Sequence, residues 1–161
     1  MTVLENVLVF AHDQPGEKLA RVFTAPQRVG AEEERLRERA HAILESMDLG
    51  HLAAARAETL SGGQKKLLEL ARALMSDPRI ILLDEPGAGV NPTLMRSLVE
   101  TIRALRAAGR TFLLIEHDMD LVTELCDPVV VMAQGRTLTE GPFAEVRRDP
   151  RVLEAYLGTA R

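Results

Sequence analysis

Ile80-Ile81-Leu82-Leu83-Asp84-Glu85-Pro86 is the stretch on which the fold turns. Four consecutive aliphatic residues are too few for a helix and suit a strand buried on both faces, as in a parallel sheet. Two carboxylates then end the run, and Pro86 stops it. In α/β folds the carboxyl edge of the sheet is where ligands sit, so Asp84 and Glu85 are placed at a working edge. Successive strand residues point in different directions, so one acid can serve a metal while the other faces a water. The alternative is a pair of solvated acids at a strand end.

Helices flank this strand. Upstream, Leu67, Leu68, Ala71, Leu74 and Met75 recur at helical spacing after Ser61, and Pro78 limits the run. Downstream, Asn91-Pro92 reads as an N-cap with proline at the first helical position. Leu94, Leu98, Ile102 and Leu105 then share one face, up to Gly109. Thr111 to Ile115 reads as a second buried strand. Asp118 caps a short helix to Leu125, and Pro128–Met132 and Thr137–Glu140 read as strands joined by a turn. The tail from Phe143 to Leu157 reads as two short helices broken at Pro150. Before Ser61, a helix is expected from Ala31, with Glu32, Glu33 and Glu34 at the positive end of its dipole. Leu36, Ala40, Ile43, Leu44 and Met47 form its stripe, and Gly50 stops it. The segment up to about Val29 is weakly patterned and reads as a short apolar piece followed by irregular or broken helix. Strands alternating with helices after a mostly helical first part predict an α/β fold: a helical subdomain over 1–78, then a mostly parallel sheet with flanking helices over 79–161.

Composition narrows the function. Aromatic residues are only 3% of the 161, so the core must be aliphatic. A net charge of −4 provides no electrostatic footprint for nucleic acid. The single cysteine, Cys126, excludes an internal disulfide and suits a reducing compartment. No run of about 18 apolar residues occurs, so a membrane role would have to work through a partner.

Two further motifs carry chemistry. Leu60-Ser61-Gly62-Gly63-Gln64 puts adjacent glycines at a helix start, where backbone N–H groups can bind an anion such as phosphate. Ser61 with Gln64 three residues later is equally a capping box, and these five residues alone leave both readings open. Ile115-Glu116-His117-Asp118 puts His117 just past an aliphatic strand, within reach of the same sheet edge as Glu85. A lone histidine is more often structural, which is the reading left for His12, His41 and His51.

Taken in order, these motifs resemble the ABC ATPases over almost the whole chain. Leu60–Gln64 matches the signature motif, Ile80–Asp84 the Walker B strand and Glu85 the catalytic acid. Gly87–Asn91 falls at the D-loop, with Asn91 where many members have Asp, and His117 matches the switch histidine. Met1–Val7 is similar to the segment after the Q-loop. Together with the stretch from Ile115 to Val122 and the ending Asp149–Gly158, it narrows the resemblance to the ATP-binding subunits of branched-chain amino acid importers. The cassette of lipopolysaccharide export is the nearest rival.

The resemblance implies ATP and Mg²⁺ as cofactors. Asp84 would hold the metal through water, Glu85 would act as general base and His117 would contact the terminal phosphate. Ser61, Gly62, Gly63, Gln64 and Asn91 would meet a nucleotide held by a second cassette, in a homo- or heterodimer. It also implies permease subunits contacted by the helical part, and a cytoplasmic position on the inner face of the membrane. No G-x-x-x-x-G-K-[ST] occurs in the 161 residues. The expectation is therefore a partial cassette, truncated before Met1, which does not hydrolyse ATP alone. The alternatives are a non-hydrolysing signature donor or a non-transport ABC ATPase; the acidic balance and the tail speak against the latter. The transported solute is not expected to be legible, because every strong motif concerns nucleotide chemistry.

Overall fold

Helix ends with orphan N–H groups need caps, and the sequence supplies them at each main helix after Gly50. The computed structural model describes residues 1–12, 14, 16 and 19–157. Eight α-helices and four strands form within them: α1 Val3–Leu8, α2 Leu19–Thr24, α3 Pro26–Ser46, α4 Gly62–Met75, β1 Ile80–Asp84, α5 Pro92–Ala107, β2 Thr111–Ile115, α6 Met119–Leu125, β3 Val129–Ala133, β4 Arg136–Gly141, α7 Phe143–Val146 and α8 Pro150–Leu157. This is a mixed α/β fold, with every regular element before residue 78 helical. The strands form two two-stranded sheets, β1 with β2 and β3 with β4, and the second is antiparallel. The expected mostly parallel sheet is met in part: β3 and β4, joined by the expected short turn, pair antiparallel in a sheet of their own. By contacts the chain divides into Met1–Leu113 and Leu114–Arg161.

In the first unit, α1, α3 and α4 pack on one another. Their core is aliphatic as expected: Val3, Val7, Ala40, Leu44, Met47, Leu49, Leu67 and Ala71 are all buried. Arg72 lays its guanidinium over the Phe10 ring at 4.4 Å, holding the chain after α1 onto α4. α3 begins at Pro26 and not at Ala31, because proline at its first turn has the helical φ already set. Gly30 is tolerated inside it, and Glu32–Glu34 lie beyond the first turn, away from the dipole's end. Nor does Gly50 stop α3. The helix ends at Ser46, Asp48 turns the chain with φ +57°, and Gly50 opens a short 3₁₀ turn.

α5 returns along this core through Leu94, Leu98, Val99 and Ile102. Buried Thr101 donates its hydroxyl to the Ser46 carbonyl at 2.9 Å, satisfying an end group of α3. Thr101→Val keeps the shape and leaves that carbonyl without this donor. A loss of about 1–2 kcal/mol in unfolding free energy is expected, read as a lower urea midpoint at unchanged slope. Where α4 runs into β1, Asp77 adopts φ +55° and receives Arg110 through a short charge-assisted bond and Arg39 at 3.5 Å. Arg110 also donates to the Pro78 carbonyl at 2.7 Å, so the entries to both strands are tied together.

The strands of this sheet are not buried on both faces. Ile81 is 3% exposed, but Ile80, Leu82, Leu113 and Ile115 are 55–71% exposed. Alternation of side chains puts one row against the helices, and the other row stays exposed among the described residues.

In the second unit, Asp118 caps α6 by accepting from the N–H groups of Asp120 and Leu121. The β3–β4 hairpin turns through Gln134 and Gly135, at φ +50° and +75°, the signs a two-residue hairpin turn requires. Asp149 opens α8 ahead of Pro150, accepting from the Arg151 backbone N–H and pairing with the Arg151 guanidinium at 2.6 Å. The Arg151 side-chain hydrogen bonds, then its backbone N–H, hold the Asp149 carboxyl down at about 2. A carboxylate depressed in the folded state stabilises above its ordinary pKa and ceases to as pH falls through the folded value. The start of α8 is therefore expected to loosen between about pH 4 and pH 2. An NMR titration of the Asp149 carboxyl should place its midpoint near the lower limit, and Asp149→Asn should remove the transition.

Candidate functional site

Ser61 caps α4 with both halves of a capping box. Its hydroxyl accepts the Gln64 backbone N–H at 3.3 Å, and the Gln64 side-chain oxygen Oε1 accepts the Ser61 N–H at 2.9 Å. The cap leaves the helix start exposed at Ser61 and Gly62. Gly62 has open space where a Cβ would be, so another molecule can approach its backbone. Gly63 is buried, and its missing Cβ lets the chain at Gly89 and Val90 come close.

β1 delivers Asp84 and Glu85 to its carboxyl end, both exposed. Glu85 departs from the strand with φ +45°, the left-handed region that a residue with a side chain seldom occupies. Strain of this kind costs on the order of 1–3 kcal/mol and clusters at functional positions. It breaks the strand's alternation, so Glu85 does not continue the line of Leu83. The chain then turns: Ala88 donates to the Glu85 carbonyl and Val90 to that of Gly87, each at 3.1 Å. Asn91 closes the turn as the cap of α5, its side-chain oxygen accepting from Thr93 and Leu94. Thus Ser61–Gln64, the acid pair and Asn91 all lie in the first unit. The 87–91 turn joins the acids to Asn91 and packs on Gly63.

His117 lies in the second unit, just past β2, with its side chain 71% exposed. Behind it the Glu116 side chain is 2% exposed, and one carboxylate oxygen accepts the His117 backbone N–H at 3.2 Å. Glu116 is also one wall of an apolar groove of about 420 Å³ lined by Val122, Val129, Phe143 and Val146. Nothing in the sequence pattern marked this glutamate, because an acid after a strand is most simply read as solvated.

Among the described residues no group of three or more His, Cys, Asp or Glu is arranged to hold a metal. A single exposed carboxylate such as Asp84 fits a hard cation that takes its other ligands from phosphate and water, and does not fit a zinc site.

The fold, the capped glycine pair and the acid-ended strand are those of the ABC transporter family. A profile of the ABC transporter family matches residues 1–88, and one described as branched-chain amino acid ATP-binding cassette transporter matches 136–161. The chain belongs to the ABC transporter family. It is 44% identical over 158 residues to the "Probable branched-chain amino acid transport ATP-binding protein LivG" of Archaeoglobus fulgidus, covering 98% of this chain and 60% of that one. It is 43% identical over 162 residues to the "High-affinity branched-chain amino acid transport ATP-binding protein BraF" of Pseudomonas aeruginosa, covering 99% of this chain and 63% of that one. Among solved structures, a nucleotide-free ATP-binding cassette from an ABC transporter aligns with a TM-score of 0.76 at 42% identity, over 98% of this chain and 63% of that one. The chain thus spans about 60% of the length of the curated relatives it matches.

Proposed function

We propose that these residues belong to the ATP-hydrolysing subunit of an importer for branched-chain amino acids. The observation that supports it most is the tail: the profile over 136–161 is that of the branched-chain amino acid cassettes, and relatives named for that transport extend over nearly the whole chain. The helical part, 1–78, presents the signature helix start and contacts permease subunits. The part from 79 to 161 carries the acids, the D-loop and the switch histidine. The assembly is a pair of cassettes on the cytoplasmic face of the membrane; among the described residues no helix is long and apolar enough to cross it.

In this reading Ser61, Gly62, Gly63, Gln64 and Asn91 face ATP held mainly by the second cassette. Asp84 would hold Mg²⁺, which would supply charge neutralisation on the phosphate oxygens. Glu85 takes the proton of the attacking water as general base. His117 orients toward the terminal phosphate and steadies the water. Positioning and electrostatics account for nearly all catalysis of phosphoryl transfer, so each residue acts by where it is held.

The test is a chimera in which this chain replaces the corresponding segment of the Escherichia coli LivG, a relative 41% identical over 162 residues. Leucine uptake by cells lacking their own LivG is the measurement. Uptake restored to about a tenth of the native rate or better is expected. A chimera that is produced, assembles with its permease and hydrolyses ATP without moving leucine would overturn the branched-chain assignment.

A further inference from the structure

The adjacent glycines at the start of α4 lack a Cβ for different reasons. At Gly62 a Cβ would meet no atom within 4 Å. At Gly63 it would lie 3.2 Å from the Val90 Cα, 3.4 Å from the Leu94 Cδ1 and 3.5 Å from the Gly89 carbonyl oxygen. Two of these three atoms are backbone, which cannot swing aside as the end of a long side chain can. They are also held: Val90 N–H is bonded to the Gly87 carbonyl, Asn91 caps α5, and Leu94 is 8% exposed in the core. The turn they form begins at strained Glu85.

We infer that Gly63 is a positioning residue that locks the 87–91 turn against the first turn of α4. The helix start and the segment leaving the acid pair then keep one fixed spacing, while Ser61 and Gly62 stay exposed. The packing follows from the contacts themselves; its consequence for turnover rests on the ATPase reading above. Through the Ala88–Glu85 bond, a displaced turn also displaces the backbone at the proposed base.

The packing is tested on the 161-residue chain without nucleotide. A nuclear Overhauser contact between the Gly63 and Val90 α-protons is expected, and its absence overturns the inference. Gly63→Ala should move the amide signals of Gly89 and Val90 and raise their hydrogen exchange about tenfold beyond any rise across α3. Gly62→Ala should leave both amides in place. Trimming Leu94→Ala behind Gly63→Ala should not restore them, because the Val90 backbone remains in the way. A rise equal throughout the chain would mean ordinary destabilisation and overturn the idea.

The consequence for turnover is read in the chimera. Gly63→Ala should lower kcat about tenfold or more with the KM for ATP within about threefold, the mark of misplacement without lost binding. Unchanged kcat in an active chimera overturns the role. An inactive unsubstituted chimera with the local NMR changes intact would sink the ATPase reading and leave the packing standing.

Discussion

Glu85→Gln in the LivG chimera should lower ATP turnover by about a hundredfold or more while leaving ATP binding within about twofold. The substitution removes the carboxylate proposed to accept the proton and keeps its shape. Glu85 is exposed at the end of β1, so the amide costs the fold little. Its backbone, at φ +45°, leads into a turn in which the Ala88 N–H is bonded to the Glu85 carbonyl. Phosphate release and nucleotide binding measured on the same preparation separate the two effects. Equal release by chimera and variant would remove Glu85 from the role of base. His117→Ala should also cost most of the rate in this assay, through lost contact with the terminal phosphate. The 161 residues assayed alone are the background, and they are expected to release no phosphate above that of their own Glu85→Gln form.

Gly62→Asp should weaken ATP-driven pairing of cassettes by at least about tenfold, since a like charge facing a phosphate costs several kcal/mol. The structure makes this a clean probe. A Cβ at residue 62 would meet no atom of the surrounding structure within 4 Å, and an acid in the first turn of α4 is favourable to the helix dipole. Folding should therefore be unimpaired and thermal melting unchanged. Size-exclusion chromatography of the Glu85→Gln chimera with ATP, with and without Gly62→Asp, reads the effect. Pairing that survives the aspartate would exclude this helix start from contact with the nucleotide.

Local devices were legible in the sequence. Ser61, Asn91 and Asp118 each cap the helix expected of them, because a cap depends on a side chain and the next three residues. The edges of β1 and β2 and the break at Pro150 are likewise local. Burial was not. Ile80 to Leu83 reads as a two-sided core strand by composition, yet which faces are covered depends on neighbours distant in sequence. The start of α3 was obscured because Pro26 and Gly30 each suggest a break, and tertiary packing of Ala40 and Leu44 overrides both. At the candidate site the residue types were readable and their relations were not. The φ of Glu85, the buried Glu116 behind His117 and the contact of Gly63 with Val90 have no trace in any periodicity.

The backbone at Glu85 sets two selective pressures against each other. A residue with a Cβ held in the left-handed region lowers stability, and glycine there would relieve it. On the reading proposed above, selection for persistence alone would favour glycine here and selection for turnover would favour the acid. If Glu85 is the base proposed above, the stability forgone at this backbone is what keeping a carboxylate there costs.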